Sequence, residues 1–353
     1  MNVFSHLAGQ RVLVTGGTGF VGRHLLPCLL EAGAEVTCLV RPSSRLDRLP
    51  PGTAAVTADL NSGQGLHAAL DGQDIFIHMA ALLFGLSWQD YLRANARAAH
   101  QLATAMADIT AAGGQTPRRT VLVSSLAAAG PSACPPGRAS GTVPEPVSAY
   151  GWSKLLVEQI LSRALGDRLV IVRPPIIYGS GDQGLLPVFQ GAARGLAVSP
   201  GLWRDFPVSA AHVRDVAQAI ILCAKPDASG IYYCSDGQVH TMAAFCRAMG
   251  TAMGHKVRVL HLPLALLAVT AALSSAAGIL HAAGLRLLTG RRPRRAPNWN
   301  LDKYREARQT GWLCDDMRLR QELGYVPQMD LASGMAEAVN GYRQEGLLPG
   351  PGR

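Results

Sequence analysis

Short runs of β-branched and aliphatic residues alternate with amphipathic stretches through the first half of the chain. Val12–Thr15, Glu35–Val40, Ala54–Ala58, Ile75–His78, Thr120–Ser124 and Leu169–Val172 are short, mostly apolar and bounded by turn residues, which predicts buried strands. Between them apolar residues recur at helical spacing, most clearly over Trp88–Ala112 and Ser148–Ala164. This alternation demands right-handed crossovers and a parallel sheet covered on both faces. The pattern predicts an α/β fold, a doubly wound parallel sheet over residues 1–178 with a smaller C-terminal lobe over 179–353 interleaved with it. After Arg173 the rhythm loosens, and Gly179–Pro207 is rich in glycine and proline, as expected of loops over the carboxyl edge of a sheet.

Composition narrows the class. A chain of 353 residues can bury a substantial core, and it carries 33 basic against 24 acidic residues, a formal charge of +9. The lysines are only Lys154, Lys225, Lys256 and Lys303, with no lysine-rich run of the kind that coats nucleic acid. Positive charge therefore points to anionic cofactors or lipid head groups, and no nucleic-acid partner is expected. The seven cysteines include no C-x-x-C pair, as in a cytoplasmic protein with reduced thiols. The first predicted strand stands where the apolar core of a secretory signal would be, so none is expected. No residue pattern suggests a metal site.

The first strand runs into "TGGTGFVG", Thr15 to Gly22, and then into a helical pattern. The spacing of Gly16, Gly19 and Gly22 is a relative of the dinucleotide fingerprint, in which glycines allow a tight turn and close approach of backbone to a diphosphate. The following helix N-terminus would present its open N–H groups and positive dipole end to those phosphates. This marks the predicted sheet as Rossmann-type. An NAD-preferring site places an acid after the second strand, whereas this strand ends in "TCLVRPSSR", with Arg41, Arg45 and Arg48. A 2′-phosphate would meet positive charge there, which favours NADP with NAD allowed. Asp59, after the third strand, is placed either to meet the adenine or to cap the next helix.

Ser124 and Ser125 end a predicted strand, at the edge where open α/β sheets bind ligands. Tyr150 and Lys154 are four apart, a spacing that stacks both side chains on one helix face and brings ammonium towards phenol. A phenol ionises near ~10, and neighbouring positive charge favours its phenolate. That equipment can move a proton to or from an alcohol oxygen while hydride moves at carbon.

With these elements the chain resembles an extended short-chain dehydrogenase/reductase, in the branch of epimerases and 3β-hydroxysteroid dehydrogenases. The resemblance rests on "TGGTGFVG", "DIFIHMAA" (Asp74–Ala81), "VSSLAAAG", "YGWSK" and "RPPIIYGSGD" (Arg173–Asp182), with "LRQELGYVP" (Leu319–Pro327) matching the C-terminal region. It implies that Tyr150 is the acid–base, that Lys154 holds the nicotinamide ribose and lowers the phenol pKa, and that Ser125 bonds the reacting oxygen. It further implies a cofactor lying against Thr15, Gly16, Gly19, Phe20, Val21, Gly22, Arg41, Asp59, Leu60, Ala80, Tyr150, Lys154 and Pro174, and a homodimer.

Departures from the family narrow the chemistry. Sugar dehydratases carry an Asp-Glu pair after the catalytic hydroxyl residue, where this chain has Leu126 and Ala127, so dehydration is not expected. Arg204, Asp205 and Phe206 imitate an epimerase element, but Asp215 lies about four residues beyond the position that pattern requires. The C-terminal lobe holds Leu262–Leu280, nineteen residues without a charge, within an apolar segment over 262–288 whose one charge is Arg286 and which is followed by "GRRPRR" at 290–295. Three readings stay open for it: a buried helix pair over an apolar pocket, a peripheral membrane contact through 262–295 on the inner face, or a span. The leading expectation is an NAD(P)-dependent oxidoreductase interconverting a secondary alcohol and ketone on a sterol-, isoprenoid- or acyl-like substrate. The alternatives are a nucleotide-sugar epimerase or reductase, and a non-catalytic dinucleotide-binding assembly or regulatory protein.

Overall fold

In the computed structural model, the described residues are 4–202, 204–289 and 296–350, so the 290–295 arginine run lies outside them. The strands β1 (Arg11–Thr15), β2 (Glu35–Val40), β3 (Ala54–Thr57), β4 (Ile75–His78), β5 (Arg119–Val123) and β6 (Leu169–Arg173) all form where the apolar runs predict them. A seventh strand, β7 (Gly230–Tyr233), was not foreseen. It gives a sheet ordered β7-β6-β5-β4-β1-β2-β3, with every neighbour pair parallel. The chain therefore returns to the sheet after residue 178.

Strand alternation divides the core between two faces. Val12, Val14, Ile75, Ile77, Val121, Val170 and Val172 face one side, under α1 (Phe20–Glu31) and the later helix Val213–Leu222. Leu13, Phe76, Leu122 and Ile171 face the other, under α2 (Arg97–Ala111) and α3 (Ala149–Leu165). Burial on both sides is why these strands read as continuous apolar runs. The order reverses between β1 and β4, so the crevice at their carboxyl ends is the topological switch point.

The helical stretch predicted over Trp88–Ala112 contains a π-helical turn at Leu92–Ala96 just before α2. The C-terminal lobe has its own core, built around Tyr178, Phe189, Phe245, Met335, Val339 and Tyr342. Its strands Leu196–Pro200 and Arg258–Leu262 pair in parallel and lead into α4 (Leu264–Thr289), one continuous helix of 26 residues.

Of the three readings left open, the buried helix pair is not what forms: the segment is one helix. Leu267, Ala271 and Gly278 are buried on its inner face, while Leu266, Val269, Leu273, Ile279, Leu280, Leu287 and Leu288 are exposed. The hydroxyls lie towards the protein: Ser274 donates to the Trp299 carbonyl at 2.7 Å, Ser275 accepts from the Leu301 amide at 2.9 Å, and Thr270 accepts from the Trp299 indole at 3.1 Å. Its apolar face therefore points outward and its hydrogen-bonding face inward, the reverse of a water-facing surface helix. By length and composition it is the one helix among the described residues able to cross a membrane.

Candidate active site

The switch-point crevice is built by the loops after β1 and β4. Gly16 has φ +79°, and a Cβ there would stand 3.0 Å from the Ala80 amide nitrogen, so only glycine lets the two loops close together. A Cβ on Gly22 would come within 2.6 Å of the Gly16 carbonyl oxygen, so this glycine lets α1 start directly beneath the turn. Gly19 caps α1 without a side-chain hydrogen bond, leaving the first-turn amides of Phe20 and Val21 to face the crevice mouth. Thr15 ties the two loops together, its hydroxyl accepting from the Met79 and Ala80 amides at 3.1 and 3.2 Å and lying 2.7 Å from His78 Nδ1. Burial, helped by the nearby Lys154 charge, pushes His78 down to about 3, so it is neutral and accepts the Thr15 proton. A cradle that any side chain would fill, beside an uncapped helix N-terminus, fits a dinucleotide diphosphate.

Arg41 lies exposed at the end of β2, its amide bonded to the Ser44 hydroxyl at 3.0 Å. Arg45 forms an ion pair with Asp47 at 2.5 Å, which leaves Arg41 as the better placed cation. Asp59 does not cap the next helix: its carboxylate accepts from the Asn61 amide at 2.8 Å and Gly65 takes the cap position. Leu60 packs beneath it against the core. On the far side of β4, buried Pro174 accepts from the Leu126 amide at 2.8 Å, pinning the serine turn to the end of β6.

Ser125 and Tyr150 lie together, and Lys154 follows one helical turn behind Tyr150 on α3. Ser125 opens the short helix Leu126–Ala129, accepting from the Ala127 amide at 3.1 Å, and its hydroxyl lies near enough to the Tyr150 phenol to favour the ionised form. Ser124 is turned away, with its hydroxyl donating to Glu158. Glu158 also accepts from Nε and Nη2 of Arg173, at 2.9 and 2.6 Å, in a buried network below the site. Lys154 shares the Tyr150 face of α3, yet its ammonium donates to the Val123 carbonyl at 2.8 Å. Burial brings its pKa down to about 8 against the opposing pull of Glu158.

Burial likewise holds the Tyr150 phenol above its ordinary range, Glu306 adds to that shift, and the Ser125 hydroxyl opposes it.

Several groups around Tyr150 escaped the sequence reading. Asn95, in the π-helical turn, donates to the Ser153 hydroxyl at 2.9 Å and exchanges hydrogen bonds with the Leu82 backbone. The helix α5 (Leu301–Ala307) lies across the N-terminus of α3, with Asp302 accepting from the Ala149 and Tyr150 amides at 2.6 and 3.1 Å. Lys303 Nζ stands 4.7 Å from the Tyr150 ring centroid and pairs with Glu306 at 2.8 Å. Asn300 caps α5 and could have announced a helix start, but nothing local says that this helix meets residue 150. The Arg204–Asp205–Phe206 element is structural: Asp205 accepts from the Ala243 amide, Phe206 is buried, and Asp215 accepts from the Gln328 and Met329 amides.

Comparison with known proteins agrees with this architecture. Residues 12–233 match the model of the NAD dependent epimerase/dehydratase family. The chain is 31% identical to a ceramide reductase of Caulobacter vibrioides over 96% of each protein. It is 27% identical to 4-hydroxy-2-methyl-3-oxo-4-farnesyl-3,4-dihydroquinoline-1-oxide ketoreductase of Stigmatella aurantiaca, over 96% of this chain and 99% of that one. The fold is shared with the Bordetella bronchiseptica enzyme WbmG, solved with NAD and UDP, at TM-score 0.70 and 16% identity over 97% and 96% of the two chains. The chain belongs to the NAD-dependent epimerase/dehydratase family and is an NAD(P)-dependent oxidoreductase of the extended short-chain dehydrogenase/reductase type.

Proposed function

We propose that this enzyme interconverts a secondary alcohol and a ketone on an apolar substrate of sterol, isoprenoid or acyl character. When bound, NAD(P) supplies or accepts the hydride at the substrate carbon. The Tyr150 hydroxyl gives its proton to the carbonyl oxygen in reduction and takes it back in oxidation, while Ser125 donates a hydrogen bond to the same oxygen. Lys154 contributes positive charge on the cofactor side, with Gly16, Gly19 and Gly22 under the diphosphate and Arg41 beside a 2′-phosphate. The observation that carries the apolar assignment is the outward-facing α4, whose Gly278 packs against Leu86 and Pro297 at the end of the segment that also brings Leu82 against the Tyr150 cluster and the Phe84 ring beside Lys303. Such a face suits a peripheral bilayer contact, from which an apolar substrate can enter without crossing water. The names of the ceramide and farnesyl-quinoline relatives support the same class.

The test is reduction of a panel of apolar ketones (a 3-keto steroid, a farnesyl ketone and a long-chain acyl ketone) beside UDP-sugars, with NADPH or NADH. Turnover of at least one apolar ketone, falling on the order of 10²-fold or more in Tyr150→Phe at unchanged cofactor affinity, is expected. Conversion of UDP-sugars with none of the apolar ketones would overturn the assignment.

A further inference from the structure

A lysine ammonium from the C-terminal lobe stands over the Tyr150 ring. Lys303 Nζ is 4.7 Å from the Tyr150 ring centroid and 5.5 Å from that of Phe84. Its position is firmly set: the Lys303 amide bonds the Asn300 cap at 3.0 Å, and its ammonium bonds Glu306 Oε2, whose other oxygen takes the Ser148 hydroxyl at 2.6 Å. The Lys303 and Glu306 side chains are 21% and 18% exposed, so solvent screens them only in part.

We propose that Lys303 is a positioning residue for the Tyr150 acid–base, a cation whose place over the phenol ring stabilises the phenolate and offsets the carboxylate of Glu306. A cation over an aromatic face is attracted by the neutral ring and far more strongly by a ring carrying a delocalised negative charge, so it favours the ionised form.

The other charges facing Tyr150 do not replace this effect. Lys154 donates to the Val123 carbonyl, Asp302 is bound to the Ala149 and Tyr150 amides and adds negative charge, and the Tyr91 hydroxyl donates to the Leu83 carbonyl. Asp302 is also paired with Arg305 at 3.5 Å, so with Lys303 removed the buried phenol would face the carboxylate of Glu306 without its cation. The same α5 is held by Ser275 of α4 through the Leu301 amide, so the cation sits at the junction of the apolar helix and the reacting centre.

The proposal rests on Tyr150 being the acid–base, and the experiment separates the two. The full chain is titrated by the ultraviolet absorbance of phenolate, reading wild type minus Tyr150→Phe, and the pH dependence of kcat/KM is measured for oxidation of an alcohol the enzyme turns over. In Lys303→Met the phenolate transition and the rising limb should both move about one pH unit or more upward, a loss of about tenfold on that limb. Lys303→Arg, keeping a cation that can stack on the ring, should hold the wild-type limb. Glu306→Gln should move it downward, and the double variant Lys303→Met with Glu306→Gln should recover most of the shift. A Lys303→Met protein that binds cofactor normally and shows the wild-type transition and limb overturns the role of Lys303 while leaving Tyr150 in place. Undiminished turnover in Tyr150→Phe overturns both.

Discussion

Replacing Leu273 and Leu280 of α4 by aspartate tests the outward apolar face at two of its open positions. These side chains are 66% and 72% exposed, so most of their surface remains available to bury against a bilayer. A leucine fully transferred from water gains ~1.5–3 kcal/mol, which leaves about 1–2 kcal/mol at each position for a lipid contact to supply. A carboxylate put in its place also meets repulsion from an anionic surface, of about 1 kcal/mol by analogy with the attraction of a basic residue. Together the two changes should weaken vesicle binding by about 4 kcal/mol, roughly a thousandfold in partition coefficient. The fold should lose little, about 0.5 kcal/mol per site, because neither side chain packs inside. Leu267→Asp is the contrasting case: that residue is buried and faces the protein, so its loss should appear in the thermal melt.

The assay is flotation with mixed phosphatidylcholine and phosphatidylglycerol vesicles, run with melts of the same proteins. Binding of the wild type should also weaken with salt, since Arg286 and the arginines of 290–295 follow the uncharged stretch Leu262–Leu280 in sequence. A folded Leu273→Asp, Leu280→Asp protein that floats as well as wild type would refute the membrane reading of α4.

Two further outcomes are expected. Arg41→Asp turns attraction for a 2′-phosphate into repulsion, so the ratio of NADP to NAD dissociation constants should move towards NAD by tenfold or more, and an unchanged ratio in a two-cofactor titration would place the phosphate elsewhere. His78, held down to about 3 by burial against an ordinary 6.5, makes the native state refuse a proton that the unfolded chain accepts, so its share of stability is present above 6.5 and is lost as pH falls through that window. Between pH 7 and 5 this share is about 2 kcal/mol. Urea unfolding of His78→Asn, whose amide oxygen can still accept from Thr15, should lack that fall, and parallel profiles for the two proteins would show that His78 is not the source.

What the sequence by itself determined is local. Strands β1, β4, β5 and β6 were legible because both faces of the sheet are covered, so most residues along them, away from their ends, are apolar. The glycine turn was legible because Gly16 and Gly22 sit where a Cβ collides with backbone, and Tyr150 and Lys154 because one turn of helix puts them on one face. Strand β7 was not, since it returns to the sheet from the far half of the chain in four residues with no flanking rhythm of its own.

The rest was decided by tertiary structure. Apolarity could announce the helix α4 but not which face would turn outward; that was settled by its serines and threonine finding partners at Trp299 and Leu301. Likewise Lys154 was close enough in sequence to be assigned to the phenol, yet a strand-end carbonyl holds its ammonium. The cation over the ring comes instead from Lys303, some 150 positions away, because α5 uses Asp302 to cap the helix that carries Tyr150. Contacts between such distant segments leave no period in the sequence, for they depend on side chains meeting only after two elements have packed.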